Sequence, residues 1–144
     1  MSVEAKLLHL QVIRNLLAPY RYLFCVDLEA TCDEVEKSEP PRPLTVVPDQ
    51  MEMIEIGLVV IDLESLGIID EFQQFVRLQI NPTLTDFCRG LTSIQQPDVD
   101  GARTYREVGE ELQTFAASYP NSAWASWGDY DARQLERDAG FTNS

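Results

Sequence analysis

The chain has 144 residues, 44% of them hydrophobic, which suits one domain with a substantial core. Its 24 acidic and 11 basic side chains give a formal charge of −13, which excludes a broad basic patch gripping a phosphate backbone. No apolar stretch approaches the roughly 20 residues that span a bilayer, and the start lacks the basic and apolar regions of a secretory leader, so a cytoplasmic protein with no membrane contact is expected. The cysteines Cys25, Cys32 and Cys88 form no Cys-x-x-Cys pair. Their odd number and irregular spacing predict reduced thiols, and with His9 as the sole histidine no zinc site is expected.

In chain order, Leu7, Leu8, Leu10, Val12, Ile13, Leu16 and Leu17 predict an N-terminal helix with a broad apolar face, ended by Pro19. The apolar run Tyr22-Leu-Phe-Cys-Val-Asp-Leu-Glu29 predicts a strand, and the acid- and proline-rich residues 33–50 an exposed loop. Met53 to Asp62 is β-branched and apolar, hence a strand, and Ile68 to Leu78 reads as its antiparallel return. Leu84 to Arg89 is expected as a short helix closed by Gly90, followed by a polar link over 92–100. Apolar positions from Ala102 to Tyr119 recur at helical spacing, with Thr104 and Glu107 as a capping pair. Ala123 to Trp127 is a short strand, residues 128–131 a turn, and Ala132 to Ala139 a helix with Asp131 at the N-cap position. The order of elements fits an α/β domain with a mixed sheet, in which the Trp124 strand joins beside the first strand through the long helix.

Asp27 and Glu29 are the most informative residues. Residues i and i+2 of a strand share a face, so two carboxylates one pitch apart repel unless something neutralises them. Either their acids simply face solvent, or they hold a hard divalent cation, which prefers oxygen ligands. Asp131, at a second strand end, would join them where adjacent strands stop.

Four blocks in order, from residue 22 to 138, resemble the DEDD-type 3′→5′ exonucleases, in particular the DEDDh branch that includes the histone-mRNA 3′-exonuclease. Phe24-Cys-Val-Asp-Leu-Glu-Ala-Thr-Cys32 is similar to the first motif and Met53-Ile-Glu-Ile-Gly57 to the second strand. Phe87-Cys-Arg-Gly-Leu-Thr-Ser-Ile94 is similar to the substrate-side helix, and Ser126-Trp-Gly-Asp-Tyr-Asp131 with Leu135 to the second exonuclease motif. The resemblance implies a ribonuclease H-like exonuclease fold, a mixed β-sheet flanked by helices. It implies residues 1–20 as a helical segment and 21–144 as the exonuclease domain. It further implies a two-metal site for Mg²⁺ or Mn²⁺ on Asp27, Glu29 and Asp131, with Asp129 competing for the third place, and hydrolysis from the 3′ end of nucleic acid, RNA before DNA. Thr31, Leu91 and Thr92 fall where the family holds the terminal nucleotide. Glu55 and Cys32 read as structural, and Trp124 and Trp127 as core more than stacking platforms. Bound metal ions would supply the local positive charge that the acidic surface lacks.

The chain departs from the family at its last motif, His-x-x-x-x-Asp, which supplies the general base and the fourth acid. Nothing after Asp131 contains it, Asp138 lies on the wrong element, and His9 precedes the first strand. A C-terminally incomplete, poorly active exonuclease domain lacking the last strand and helix is therefore expected. The alternative is a catalytically inactive module that binds nucleic acid or a protein partner.

Overall fold

The computed structural model describes residues 1–35, 40–126, 131, 133–135 and 138. Helix α1 (Val3–Leu17) is followed by strand β1 (Tyr22–Ala30), a 3₁₀ turn (Pro48–Gln50), and strands β2 (Met53–Asp62) and β3 (Ile68–Phe75). Helices α2 (Asp86–Thr92), α3 (Gln96–Asp100) and α4 (Tyr105–Ala117) lead to strand β4 (Ser122–Ala125). Residues 131, 133–135 and 138 are helical. The sheet runs β3-β2-β1-β4; β2 is antiparallel to both of its neighbours, β1 and β3, and β4 lies parallel to β1 over Tyr22–Cys25. The mixed sheet expected from the order of elements is present.

Strand β2 sets the two faces of the sheet. Ile54, Ile56, Leu58 and Val60 are at most 3% exposed, whereas Glu55, Gly57, Val59 and Ile61 between them are half-buried. The pleat therefore sends one set to a core and the other to an open face. Helix α4 covers the buried face: Val108 and Leu112 pack with Leu28, Ile56 and Val76, and Phe115 and Tyr119 with Phe24, Leu58 and Val60. Phe24, fully buried, meets the edges of Tyr119 at 6.1 Å and Trp124 at 4.7 Å. Each such side chain contributes about 1.5–3 kcal/mol by leaving water. Thr104 caps α4 by accepting from the Glu107 N–H, and the Glu107 carboxylate accepts from the Thr104 N–H. The capping pair read from the sequence is thus in place.

Two expectations on the helices need correction. Helix α2 does not stop at Gly90 but continues to Thr92, where Ser93 at φ 64° ends it. Cys88 and the following Ile94 are buried in one cluster with Ile54, Leu78 and Val99, and that packing outweighs a glycine's cost of about 1 kcal/mol. The polar link over 92–100 also contains α3. Its start is fixed by the Gln95 N–H donating to the Asp98 carboxylate at 2.8 Å, and its one buried residue, Val99, anchors it in the core.

Helix α1 buries none of its residues. Leu10, Ile13 and Leu17 share a groove with Leu63 and Leu66 of the β2–β3 turn, and Leu7, Leu8 and Leu16 are each at least 60% exposed. Among the described residues, no helix is long and apolar enough to cross a membrane.

Candidate active site

The site grows from the end of β1. Cα pairing sets Asp27 opposite Gly57 and Glu29 opposite Glu55 of β2, so Asp27, Glu29 and Glu55 share the face that α4 does not cover. Gly57 keeps the sheet low beside Asp27, and an open groove of about 760 Å³ runs there between Cys25, Asp27, Gly57, Val59, Glu71 and Gln73. Asp27 is exposed and Glu29 half-buried.

Asp131 reaches this strand end from the other side. It is buried, already within the helix rather than ahead of it, and its carboxylate accepts from the Leu28 backbone N–H. Leu28 lies beyond Cys25, the last β1 residue paired with β4. A short β4 thus leaves room for the acid beside β1.

Electrostatics ties these groups together. Burial, then the charges of Asp27, Glu55 and Asp131, push the Glu29 carboxyl above its ordinary range. Burial and the Asp27 charge likewise raise Asp131, against the pull of the Leu28 hydrogen bond. Burial raises Glu55 too, with Asp27 and Asp98 adding to it and a hydrogen bond from Gln73 opposing. Asp27, Glu29, Glu55 and Asp131 therefore form one mutually repelling set. Among the described residues, no three His, Cys, Asp or Glu side chains converge closely enough to enclose an ion. The donor set nonetheless suits a hard dication, which takes carboxylate oxygens and relieves their repulsion.

A bulge between Glu29 and Ala30 shifts the β1–β2 register, and polar side chains brace it. Thr31 is buried; its N–H donates to the Glu52 carbonyl at 2.7 Å, and its hydroxyl accepts from the Glu52 N–H at 2.8 Å. The buried Glu52 carboxylate accepts from the N–H groups of Gln79, Ile80 and Asn81. Cys32 packs on the cluster around Cys88, and burial with the neighbouring Cys88 thiol pushes its pKa up to about 12. Leu91 projects from α2 at 66% exposed, whereas the Thr92 hydroxyl donates to the Cys88 carbonyl. Thr31 and Thr92 are thus tied into the frame, and Leu91 alone of the three presents an open surface. Trp124 is half exposed. Asp129 and Trp127 lie outside the described residues. His9 is exposed on α1.

Sequence reading missed Glu52, Gln134 and Asp138 as builders of this corner. Only a polar residue flanking an apolar strand start could have pointed to Glu52.

Comparison with known proteins gives concordant matches. The exonuclease family matches residues 24–138. The 3′-5′ exonuclease eri1 of Schizosaccharomyces pombe is 42% identical over 101 residues, covering 70% of this chain and 31% of that protein. Human 3′-5′ exoribonuclease 1 is 42% identical over 89 residues, covering 62% of this chain and 23% of its own length. The nuclease domain of 3′hExo, a DEDDh family member bound to rAMP, superposes with a TM-score of 0.72 at 31% identity, covering 86% of this chain and 60% of that one. The chain therefore spans less than a third of the two curated relatives and three fifths of the solved nuclease domain.

Proposed function

Since this chain belongs to the exonuclease family, on its DEDDh 3′→5′ branch, we propose that it hydrolyses phosphodiester bonds from the 3′ end of nucleic acid, with RNA the preferred substrate. The observation that carries this reading is that Asp27, Glu29 and Asp131 lie at one strand end, where burial first and neighbouring negative charge second push the Glu29 and Asp131 carboxyls upward. The preference for RNA rests on the exoribonuclease relatives. Residues 21–144 form the exonuclease unit in this reading, and residues 1–20 an appended helical segment.

The family is divalent-metal dependent, and Asp27, Glu29 and Asp131 would hold two Mg²⁺ or Mn²⁺ ions. Bound there, such ions activate a water and stabilise charge on the attacking and leaving oxygens. The chain's own residues hold that arrangement in place: β1 presents Asp27 and Glu29, the helix after β4 presents Asp131, and the Thr31–Glu52 brace fixes the bulge beside them. Leu91 offers an apolar surface to the terminal base, with Thr31 and Thr92 supporting the pocket behind it. Three free thiols accord with a reducing compartment, the cytoplasm.

A second reading has one observation in its favour. The only histidine, His9, sits exposed on α1, so these 144 residues bring no imidazole to the site and their own turnover is expected to be slow. In that reading the chain binds nucleic acid or a protein partner without cutting. Calorimetric titration with Mn²⁺ tests the site: binding is expected in the parent and lost in both Asp27→Ala and Glu29→Ala. Equal binding in all three proteins would refute the assignment. Shortening of a 5′-labelled RNA oligonucleotide with Mn²⁺ then separates the two readings, since a binding module leaves it intact.

A further inference from the structure

Gln134 and Asp138 are 1% and 5% exposed, and both direct their hydrogen bonds at the backbone where β2 begins. Gln134 Nε2 donates to the Met51 carbonyl at 2.7 Å and to Asp138 Oδ2 at 2.8 Å. Asp138 Oδ1 and Oδ2 accept from the Met53 N–H at 3.1 and 3.3 Å. Met53 is the Cα partner of Ala30 across the bulge that follows Glu29. The two side chains therefore join the helix after β4 to the irregular point of the sheet that orients Glu29.

Positions 131, 134, 135 and 138 are spaced i, i+3, i+4 and i+7, so they share one helix face. Leu135 packs that face on the Leu28, Met53 and Ile56 cluster. Apolar contact alone is non-directional and allows a helix to roll or slide. Hydrogen bonds at 134 and 138 are directional, and fixing that end of the face fixes the rotation at which Asp131 meets the Leu28 N–H. We infer that Gln134 and Asp138 are positioning residues: a buried polar latch on Met51 and Met53 that sets Asp131 against Asp27 and Glu29. A carboxylate suits position 138 because the Met53 N–H and the Gln134 amide both donate to it. An asparagine there would turn one of its own N–H groups toward a donor. The latch is independent of metal chemistry; its value for metal binding rests on the function proposed above.

The test uses the whole chain with two substitutions of similar size, Asp138→Asn and Gln134→Met, beside Asp131→Ala, which removes the acceptor, and Phe115→Leu as controls. Hydrogen exchange at the Leu28 amide reports directly on whether Asp131 is seated and needs no metal. Both latch variants are expected to speed Leu28 exchange toward the Asp131→Ala rate while leaving Val60 unchanged. Mn²⁺ affinity should fall about tenfold or more, the usual effect of losing a group that orients a ligand. Phe115→Leu, which loosens the core under α4, should lower thermal stability and leave Leu28 exchange and Mn²⁺ affinity at parent values. Parental Leu28 exchange in both latch variants overturns the inference, and so does an equal acceleration in Phe115→Leu. A parent that fails to bind Mn²⁺ overturns the two-metal reading alone, since the amide measurement still decides the latch. If one variant does not fold, the other carries the same comparison.

Discussion

Replacing Glu29 by glutamine is predicted to stabilise the metal-free protein. The substitution keeps the side chain's size and removes one charge from a set of four. Glu29 faces Glu55 directly across the β1–β2 ladder and also feels Asp27 and Asp131. A like-charge pair directly opposite on a sheet costs about 0.2–1 kcal/mol. Three repulsive neighbours of that order give roughly 1–2 kcal/mol, and screening of this half-exposed group leaves about 1 kcal/mol. In a domain of this size that raises the melting temperature by roughly 2–4 °C. Urea unfolding followed by circular dichroism, in chelator at neutral pH, measures it. The gain should be larger at low ionic strength than at about 0.5 M salt, where the screening length falls to a few ångströms. Added Mn²⁺ should reverse the order, stabilising the parent and not the variant. If Glu29→Gln were less stable than the parent in chelator, or its gain were indifferent to salt, the reasoning from mutual repulsion would be refuted.

Other outcomes follow from the same geometry. Glu52→Ala strips a buried carboxylate from three backbone N–H groups and should cost about 3 kcal/mol in urea unfolding, with Glu52→Gln intermediate because one acceptor oxygen survives. Thr104→Ala should cost about 1 kcal/mol through loss of the α4 cap. Because the Glu29 and Asp131 carboxyls are raised, their contribution to stability is full below the ordinary carboxylate range and is lost as pH rises through their folded values. Asp33 runs oppositely: hydrogen bonding from Arg42 lowers it to about 2, so its contribution is present above the ordinary range and lost as pH falls toward 2. Unfolding measured against pH should therefore show greatest stability in mild acid, and Mn²⁺ affinity should rise as pH climbs above the ordinary carboxylate range and the metal displaces fewer protons. With a pKa pushed up to about 12, Cys32 should resist iodoacetamide at pH 8, as peptide mapping would reveal.

Much of the frame could be read from the chain because its signals were periodic. The alternation of Ile54, Ile56, Leu58 and Val60 with smaller or polar residues marks a strand with one buried face, and the Thr104–Glu107 pair marks a helix start. Asp27 and Glu29 were legible because pleat geometry alone puts them on one face. The parts that escaped depend on contacts distant in sequence. Helix α3 is polar but for Val99, and only the cluster with Ile54, 45 positions earlier, gives it a reason to form. Gly90 looked like a stop because propensity is local, whereas Cys88 and Ile94 are held by the core. Asp138 looked misplaced as a metal ligand; it accepts from the Met53 N–H, 85 positions away.

The parallel pairing of β1 with β4 joins Tyr22 to Ser122, so the strand end that carries the candidate site is assembled from segments about a hundred positions apart. Strands β1, β2 and β3 can zip as near neighbours, but seating β4 closes a loop of about a hundred residues, whose entropic cost is met only when the sheet and α4 are already there. On a ribosome adding about 5–20 residues per second, several seconds separate the emergence of Asp27 from that of Asp131. Through that interval the nascent chain carries Asp27, Glu29 and Glu55 without Asp131. Under the two-metal reading proposed above, a full ligand set would exist only once Asp131 has joined β1, so the order of synthesis would guard the acidic strand against premature metallation.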